Sequence, residues 1–158
     1  MQPFGFVLLL LTARTEGAAP QHRSSMAPYC PPYHATPSQQ RVIFDEFIQK
    51  LYIDRNATRA LLDHVPEDYI QHNPYSLSGR DNSIKSLSFV SPDTVNFTIS
   101  RIGLDGNLAF LHARLDTVGA ERPSAVVDLF RFDGSCIQEH WDVIQAVPEN
   151  ATNPLDMW

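Results

Sequence analysis

The chain has 158 residues, of which 43% are hydrophobic and 19% are charged, and its formal net charge is −6. This length suits one domain with a sizeable core. The acidic balance and the lack of any Lys/Arg cluster argue against a nucleic-acid partner held by a basic patch.

The first 36 residues differ in composition from the rest. An apolar run from Phe4 to Ala13 is too short to span a bilayer as a mature helix, and small residues follow it. We therefore predict a secretory signal peptide over residues 1–19, although no Lys or Arg precedes the run; an N-terminal helix packed on the domain is the alternative. Residues 20–36 are rich in proline and are predicted to form an extended linker.

The predicted localisation is secreted, with the cytoplasm as the alternative, and no membrane association is expected after signal removal. Three sequons predict glycosylation at Asn56, Asn96 or Asn150, against the alternative that such short patterns arise by chance. Cys30 and Cys136 are the only cysteines. They can pair in an oxidising compartment or remain free thiols, and the sequence leaves both open.

Helical periodicity begins near Pro37, where Thr36 or Ser38 can cap the first turn. Apolar residues recur at helical spacing as far as residue 53. A second short helix is predicted over 56–64, where Pro66 ends it, and a third within 79–89.

Two alternating segments then predict strands, over 95–102 and 108–118, joined by a turn at Asp105-Gly106. In the second strand, Ala109, Leu111, Ala113 and Leu115 form one face and are expected to be core. The opposite face runs from apolar to charged and is expected to form a pocket wall; it carries Leu108, Phe110, His112, Arg114 and Asp116. Helices followed by meandering strands predict an α+β fold.

The segment from residue 125 to 145 reads as a hairpin around Asp133-Gly134. A three-residue loop, which we favour, would pair Arg131 with Ser135 and place Asp128, Phe130, Gln138, His140 and Asp142 on one face. A two-residue loop would instead place Asp128 with Glu139 and Trp141.

Four blocks resemble, in the same order, those of the SnoaL-like proteins, the polyketide-cyclase branch of the nuclear-transport-factor-2-like superfamily. They are DYIQHNP from Asp68, DGNLAFLHARLD from Asp105, AVVDLFRFDG from Ala125, and IQEHWDVIQAVPENATNPLDMW from Ile137. The resemblance covers roughly residues 38–158 and defines a SnoaL-like domain over 37–158. It implies a cone in which N-terminal helices pack on a curved antiparallel sheet around an apolar pocket. It also implies acid–base chemistry without a cofactor.

Carboxylic acids in an apolar pocket are suited to proton transfer, because burial disfavours their charged form. We predict Asp142 as the principal acid–base residue, assisted by Asp128 and His72. Further pocket residues are predicted from their polar or aromatic character: Tyr69, Asn73, Phe110, His112, Phe130, His140 and Trp141. The alternative for Asp128 and Asp142 is a structural ion pair with Arg131 or Arg114.

Other chemistries are not favoured by the sequence. Glycine-rich phosphate loops, GxSxG elbows and CxxC motifs are absent from it. The histidines at 72, 112 and 140 and Asp142 are metal-ligand types, but their spacing matches no compact metal motif, so no metal and no cofactor are predicted.

Two functional classes remain open at this point. One is an isomerase, cyclase or lyase that acts by aldol or enolate chemistry on a small apolar carbonyl compound. The other is a non-catalytic module that binds a small ligand or a protein on the same fold. A homodimer through the outer sheet face is also predicted, from the apolar stretch Ala125 to Val127 and from Trp141.

Overall fold

The computed structural model describes residues 27–158, so the predicted signal peptide lies outside the described residues. Helix α1 spans Pro37–Ile48 and continues into a π-helical turn over Gln49–Ile53. The remaining elements follow in chain order: α2 Ala57–His64, β1 Ile70–Gln71, α3 Arg80–Ser86, β2 Val95–Asp105, β3 Leu108–Thr117, β4 Ser124–Asp133 and β5 Cys136–Ala146.

The first helix begins where the sequence predicted. Thr36 and Gln39 form a capping box, in which each side chain bonds the other's backbone N–H. Pro37 occupies the first turn, where its missing N–H costs no hydrogen bond. The helix buries Phe44 and Phe47 against Phe130 of β4, with ring centroids 5.6 and 5.2 Å apart. This packing fixes the helical layer on one face of the sheet.

The sheet has the order β1-β5-β4-β3-β2. Strands β2 to β5 pair antiparallel, while the two-residue β1 pairs in parallel with β5. Within the described residues, turns alone connect the last four strands. The predicted α+β architecture, with helices on a curved antiparallel sheet, is confirmed. None of the described helices is long and apolar enough to cross a membrane.

The turn between β4 and β5 differs from both predicted loops. Asp133 pairs with Cys136, so the turn residues are Gly134 and Ser135. A β-bulge then adds Gln138 to β5, after which Phe130 faces His140.

The reason for this register lies in the N-terminal segment. A Cβ on Gly134 would lie 2.3 Å from the carbonyl oxygen of Tyr33. The buried Ser135 hydroxyl donates to the carbonyl of Tyr29 at 2.6 Å. Contacts with a distant part of the chain therefore fix the turn, and the local sequence pattern could not predict them.

The described part of the predicted linker, residues 27–36, packs on the domain. Tyr29 is fully buried, and its ring lies 4.7 Å from that of His64 in α2. Cys30 forms a disulfide with Cys136, with the two Cα atoms 5.3 Å apart. Proline content indicated an extended backbone, but it did not reveal these buried contacts.

Candidate functional site

A cavity of about 290 Å³ lies between the helices and the inner face of the sheet. Most of its wall is apolar, as suits a site for a hydrophobic ligand. The apolar lining consists of Phe47, Leu51, Leu61, Leu87, Phe89, Val90, Phe97, Leu115, Val126, Phe130 and Ile144. The other lining residues include two carboxylates, a histidine and three tyrosines, and the carboxylates carry the candidate chemistry.

Asp128 of β4 is the buried carboxylate of the cavity. Its Oδ2 accepts a hydrogen bond from the Tyr52 hydroxyl at 2.8 Å, and its Oδ1 lies 2.9 Å from Nε2 of His140. Burial raises the pKa of Tyr52 well above its usual value, and the charge of Asp128 adds to this effect. Tyr52 is thus held as a neutral hydroxyl that donates to Asp128.

His140 is held in place from three sides. Its ring stacks on Phe130, with centroids 4.7 Å apart. Its Nδ1 lies 2.9 Å from Oε1 of Gln71, which the parallel β1–β5 pairing places opposite it. Asp128 contacts the remaining ring nitrogen. The ring therefore has one orientation, with both nitrogens engaged.

Asp142 lies in a more open environment than Asp128. It is half-buried on the cavity wall, and its Oδ2 accepts a hydrogen bond from the Asn73 side-chain amide at 2.6 Å. Asn73 is itself fixed, because its Oδ1 accepts from the backbone N–H of Tyr75 at 2.8 Å. No other side chain among residues 27–158 bonds Asp142, so its Oδ1 remains available to a ligand.

Tyr69 also lines the cavity and is only 3% exposed. Burial raises its pKa well above the usual value, and the charges of Asp128 and Asp142 raise it further. Within the described residues its hydroxyl has no hydrogen-bond partner. It is therefore a neutral donor that a ligand oxygen can use.

Asp128 and Asp142 do face the same cavity, opposite each other in the β4–β5 ladder. The two arginines considered as ion-pair partners are engaged elsewhere. Arg131 bonds Glu139 at 2.6 Å, and Arg114 bonds Asp116 at 2.7 Å. Of the predicted site residues, the cavity lining includes Asp142, Asp128, Tyr69, Asn73, Phe130 and His140.

Four predicted site residues lie on the other face of the sheet. Phe110 and His112 follow the alternation of β3, in which Ala109, Leu111 and Ala113 are the buried face. The ring of Phe110 covers Gly103 of β2. The expected core face of β3 is confirmed, but its opposite face does not form the pocket wall that the sequence predicted, because Leu115, on the core face, is the β3 residue that lines the cavity.

His72 and Trp141 form the second part of this outer group. Their rings stack 4.8 Å apart, and Nε2 of His72 lies 2.8 Å from Oε1 of Glu139. Hydrogen bonds from His72 and Arg131 lower the pKa of Glu139. His72 thus bonds Glu139 at the surface, outside the cavity, while Gln71 beside it reaches the site. Sequence reasoning missed Gln71, although it lies within the DYIQHNP block, and Tyr52, which no motif marks.

Asp128, His140 and Asp142 are metal-ligand types, and their ligand atoms lie within 4.8 Å of one another. However, both oxygens of Asp128 and both ring nitrogens of His140 already contact protein groups. A metal that bound Nε2 of His140 and Oδ1 of Asp128 would have to replace the proton of the direct contact between these two atoms, which lie 2.9 Å apart. As it stands, this contact is a hydrogen bond, which suits proton transfer.

All three sequon asparagines are exposed. The Asn56 side chain caps α2 by accepting from the N–H of Arg59, and Asn96 accepts from Arg55. Glycosylation remains a prediction at these positions.

No family model matches the sequence, and no curated protein matches it. Solved structures do match. A putative ketosteroid isomerase from Kribbella flavida shares 17% identity over 76% of this chain and 85% of its own, with a TM-score of 0.60. An NTF-2 like protein of unknown function from Burkholderia xenovorans shares 20% identity over 75% of this chain and 92% of its own, with a TM-score of 0.58.

A putative SnoaL-like polyketide cyclase from Jannaschia shares 13% identity over 71% of this chain and 90% of its own, with a TM-score of 0.54. At such identities the similarity concerns the fold. The chain therefore has the nuclear-transport-factor-2-like fold, in the form also found in SnoaL-like and ketosteroid-isomerase-like proteins.

Proposed function

We propose that this protein is a cofactor-free acid–base enzyme that moves a proton next to the carbonyl group of a small apolar compound. The observation that carries the proposal is one cavity with an apolar wall and two neighbouring carboxylates in unlike surroundings. Two titratable groups in different environments can divide the acid and base roles.

Asp142 is the base in this proposal. One of its oxygens is held by Asn73 and the other faces the cavity, so a C–H bond of the ligand can approach it. When that bond breaks, the proton goes to Asp142, the bonding pair forms the enolate C=C bond, and the carbonyl π pair moves to oxygen. The Tyr69 hydroxyl can donate a hydrogen bond to this oxygen.

The enolate can then react in two ways. Return of the proton to another carbon gives a shifted double bond, whereas attack of the enolate on a second carbonyl closes a ring. Both outcomes share the first step. An assay of that step therefore tests the proposal without the natural substrate.

The test is exchange of the α-protons of 2-tetralone in deuterated water, followed by proton NMR. Asp142→Asn is nearly isosteric and removes the base, so the exchange rate should fall about 10²- to 10⁴-fold. The matched control is Asp105→Asn, which changes an exposed aspartate at the end of β2 and should exchange like the wild type.

The alternative function is a non-catalytic binding module on the same fold. The apolar wall of the cavity is the observation that favours it. A wild-type protein that broadens the 2-tetralone signals and gains thermal stability, yet exchanges no faster than buffer, would support the module. Equal exchange rates in Asp142→Asn and the wild type would remove Asp142 from the chemistry.

A further inference from the structure

A chain of hydrogen bonds runs from the backbone of Asn73 to the side chain of Tyr52. The N–H of Asn73 donates to Oε1 of Gln71 at 2.9 Å, and Nδ1 of His140 lies 2.9 Å from the same oxygen. On the other side of the ring, Nε2 lies 2.9 Å from Asp128, whose second oxygen accepts from Tyr52. This series of hydrogen bonds determines which atoms of His140 and Asp128 carry protons.

The backbone N–H of Asn73 can only donate, so the atom of Gln71 that it meets is the amide oxygen. That assignment follows from hydrogen bonding and excludes a flipped amide. The same oxygen faces Nδ1 of His140 and can only accept. Nδ1 of His140 therefore carries a proton.

The contact between His140 and Asp128 then needs one further proton. With its proton on Nδ1, a neutral imidazole presents a lone pair at Nε2. A carboxylate oxygen is also an acceptor, so a bond of 2.9 Å requires a proton between the two atoms. Asp128 and His140 together are then electrically neutral, whichever atom is nearer that proton.

We propose that Gln71 is a positioning residue that locks His140 as the Nδ1–H form, so that the Asp128–His140 pair retains a proton beside Asp142. The catalytic consequence rests on the proposed function: after Asp142 has taken the α-proton, the proton of the pair passes to the enolate oxygen, which leaves an ionised Asp128 and a neutral His140 with its proton on Nδ1. Without Gln71, His140 could place its proton on Nε2 and donate to an ionised Asp128. The cavity would then hold two carboxylates and no transferable proton.

The test reads the protonation of Nδ1 directly, by long-range ¹H–¹⁵N correlation spectra of the substrate-free protein at neutral pH. A His140→Asn variant assigns the signals. In the wild type, Nδ1 of His140 should appear as a protonated nitrogen. In Gln71→Leu, which removes the acceptor, it should appear as an unprotonated one.

Two variants control the experiment. Gln71→Glu keeps an oxygen acceptor in place and should retain the proton on Nδ1, whereas Gln145→Leu makes the same change at an exposed position of β5 and should change nothing. An unprotonated Nδ1 in the wild type, or an unchanged Nδ1 in Gln71→Leu, would overturn the proposal.

The spectra need no substrate, so they are independent of the proposed function. If the wild type catalyses exchange, Gln71→Leu should slow it about 10²- to 10⁴-fold, the usual worth of a positioned proton donor, and Gln71→Glu should restore much of the rate. If the wild type is inactive but its Nδ1 is protonated, the positioning role of Gln71 stands and the proposed enzymatic function is refuted. Unaltered exchange in a Gln71→Leu protein that has lost the Nδ1 proton would overturn the catalytic part of the inference.

Discussion

Mild acid should destabilise this protein through one buried histidine. His64 has no exposed surface, and burial lowers its pKa from 6.5 to about 4, with the nearby charge of Lys50 acting in the same direction. Glu46 and Asp63 oppose this shift without overcoming it. The folded protein therefore keeps His64 neutral at a pH where the unfolded chain protonates it.

The sign follows from proton linkage. Between pH 6.5 and about 4 the unfolded state binds the extra proton, so the free energy of unfolding falls as the pH falls through this window. One pKa unit corresponds to about 1.4 kcal/mol. Integration from pH 7.5 to 5.0 gives a loss of about 2 kcal/mol, a large share of the stability of an ordinary domain.

Urea unfolding of the disulfide-intact protein at pH 7.5 and 5.0 measures this loss. His64→Gln removes the titrating group. The decrease in the free energy of unfolding from pH 7.5 to 5.0 should therefore be smaller by about 2 kcal/mol, whatever the variant's stability at pH 7.5. His34→Gln makes the same change at an exposed position and serves as the control. The reasoning is refuted if His64→Gln retains the wild-type loss.

Two further predictions concern assembly and processing. We expect a homodimer through the outer sheet face, where Phe110 and Leu129 are neighbours in the ladder and are 41% and 39% exposed; Leu129→Lys should then yield a monomer in sedimentation velocity, and a monomeric wild type would contradict the interface. We also expect secretion, which the disulfide favours. Intact-mass analysis of native material should show loss of about the first 19 residues and glycan on at least one sequon, whereas an unprocessed, unmodified chain would argue against it.

The dimer interface was predicted from the stretch Ala125 to Val127, which is not the apolar surface that the structure exposes. Ala125 and Val126 are buried, and Val126 lines the cavity. The outer apolar surface comes instead from alternate residues of β3, β4 and β5, including Phe110, Leu129 and Val143. An apolar run indicates that a strand contributes to a buried surface. Because this sheet has an enclosed face and an outer face that is also apolar, the run does not show which residues lie on which face.

Local patterns predicted the helices well because capping and periodicity act within a few residues. Thr36 and Pro37 marked the start of α1, and the spacing of Phe44 and Phe47 marked its buried face. Strands β2 to β5 were also found, since alternation is local. Asp128 and Asp142 were placed on one face even though the predicted register was wrong.

What the sequence did not reveal depends on distant contacts. The register of the last hairpin is set by Tyr29 and Tyr33, about 100 residues earlier in the chain. The short strand β1 exists only because β5 offers it an edge, and this pairing decides that Gln71 reaches the site while His72 points away. Neither residue carries a local signal of that difference.

The disulfide closes a covalent ring from Cys30 to Cys136, which residues 27–29 precede and a C-terminal arm, residues 137–158, follows. The ring contains all three helices and strands β1 to β4, whereas β5 belongs almost entirely to the arm. His140 and Asp142 are therefore carried by the arm, and their partners Gln71, Asn73 and Asp128 by the ring. A single proteolytic cut in an exposed loop of the ring would leave its two pieces covalently joined. A cut just after Cys136 would instead leave the arm, and with it half of the acid–base site, held by non-covalent contacts alone.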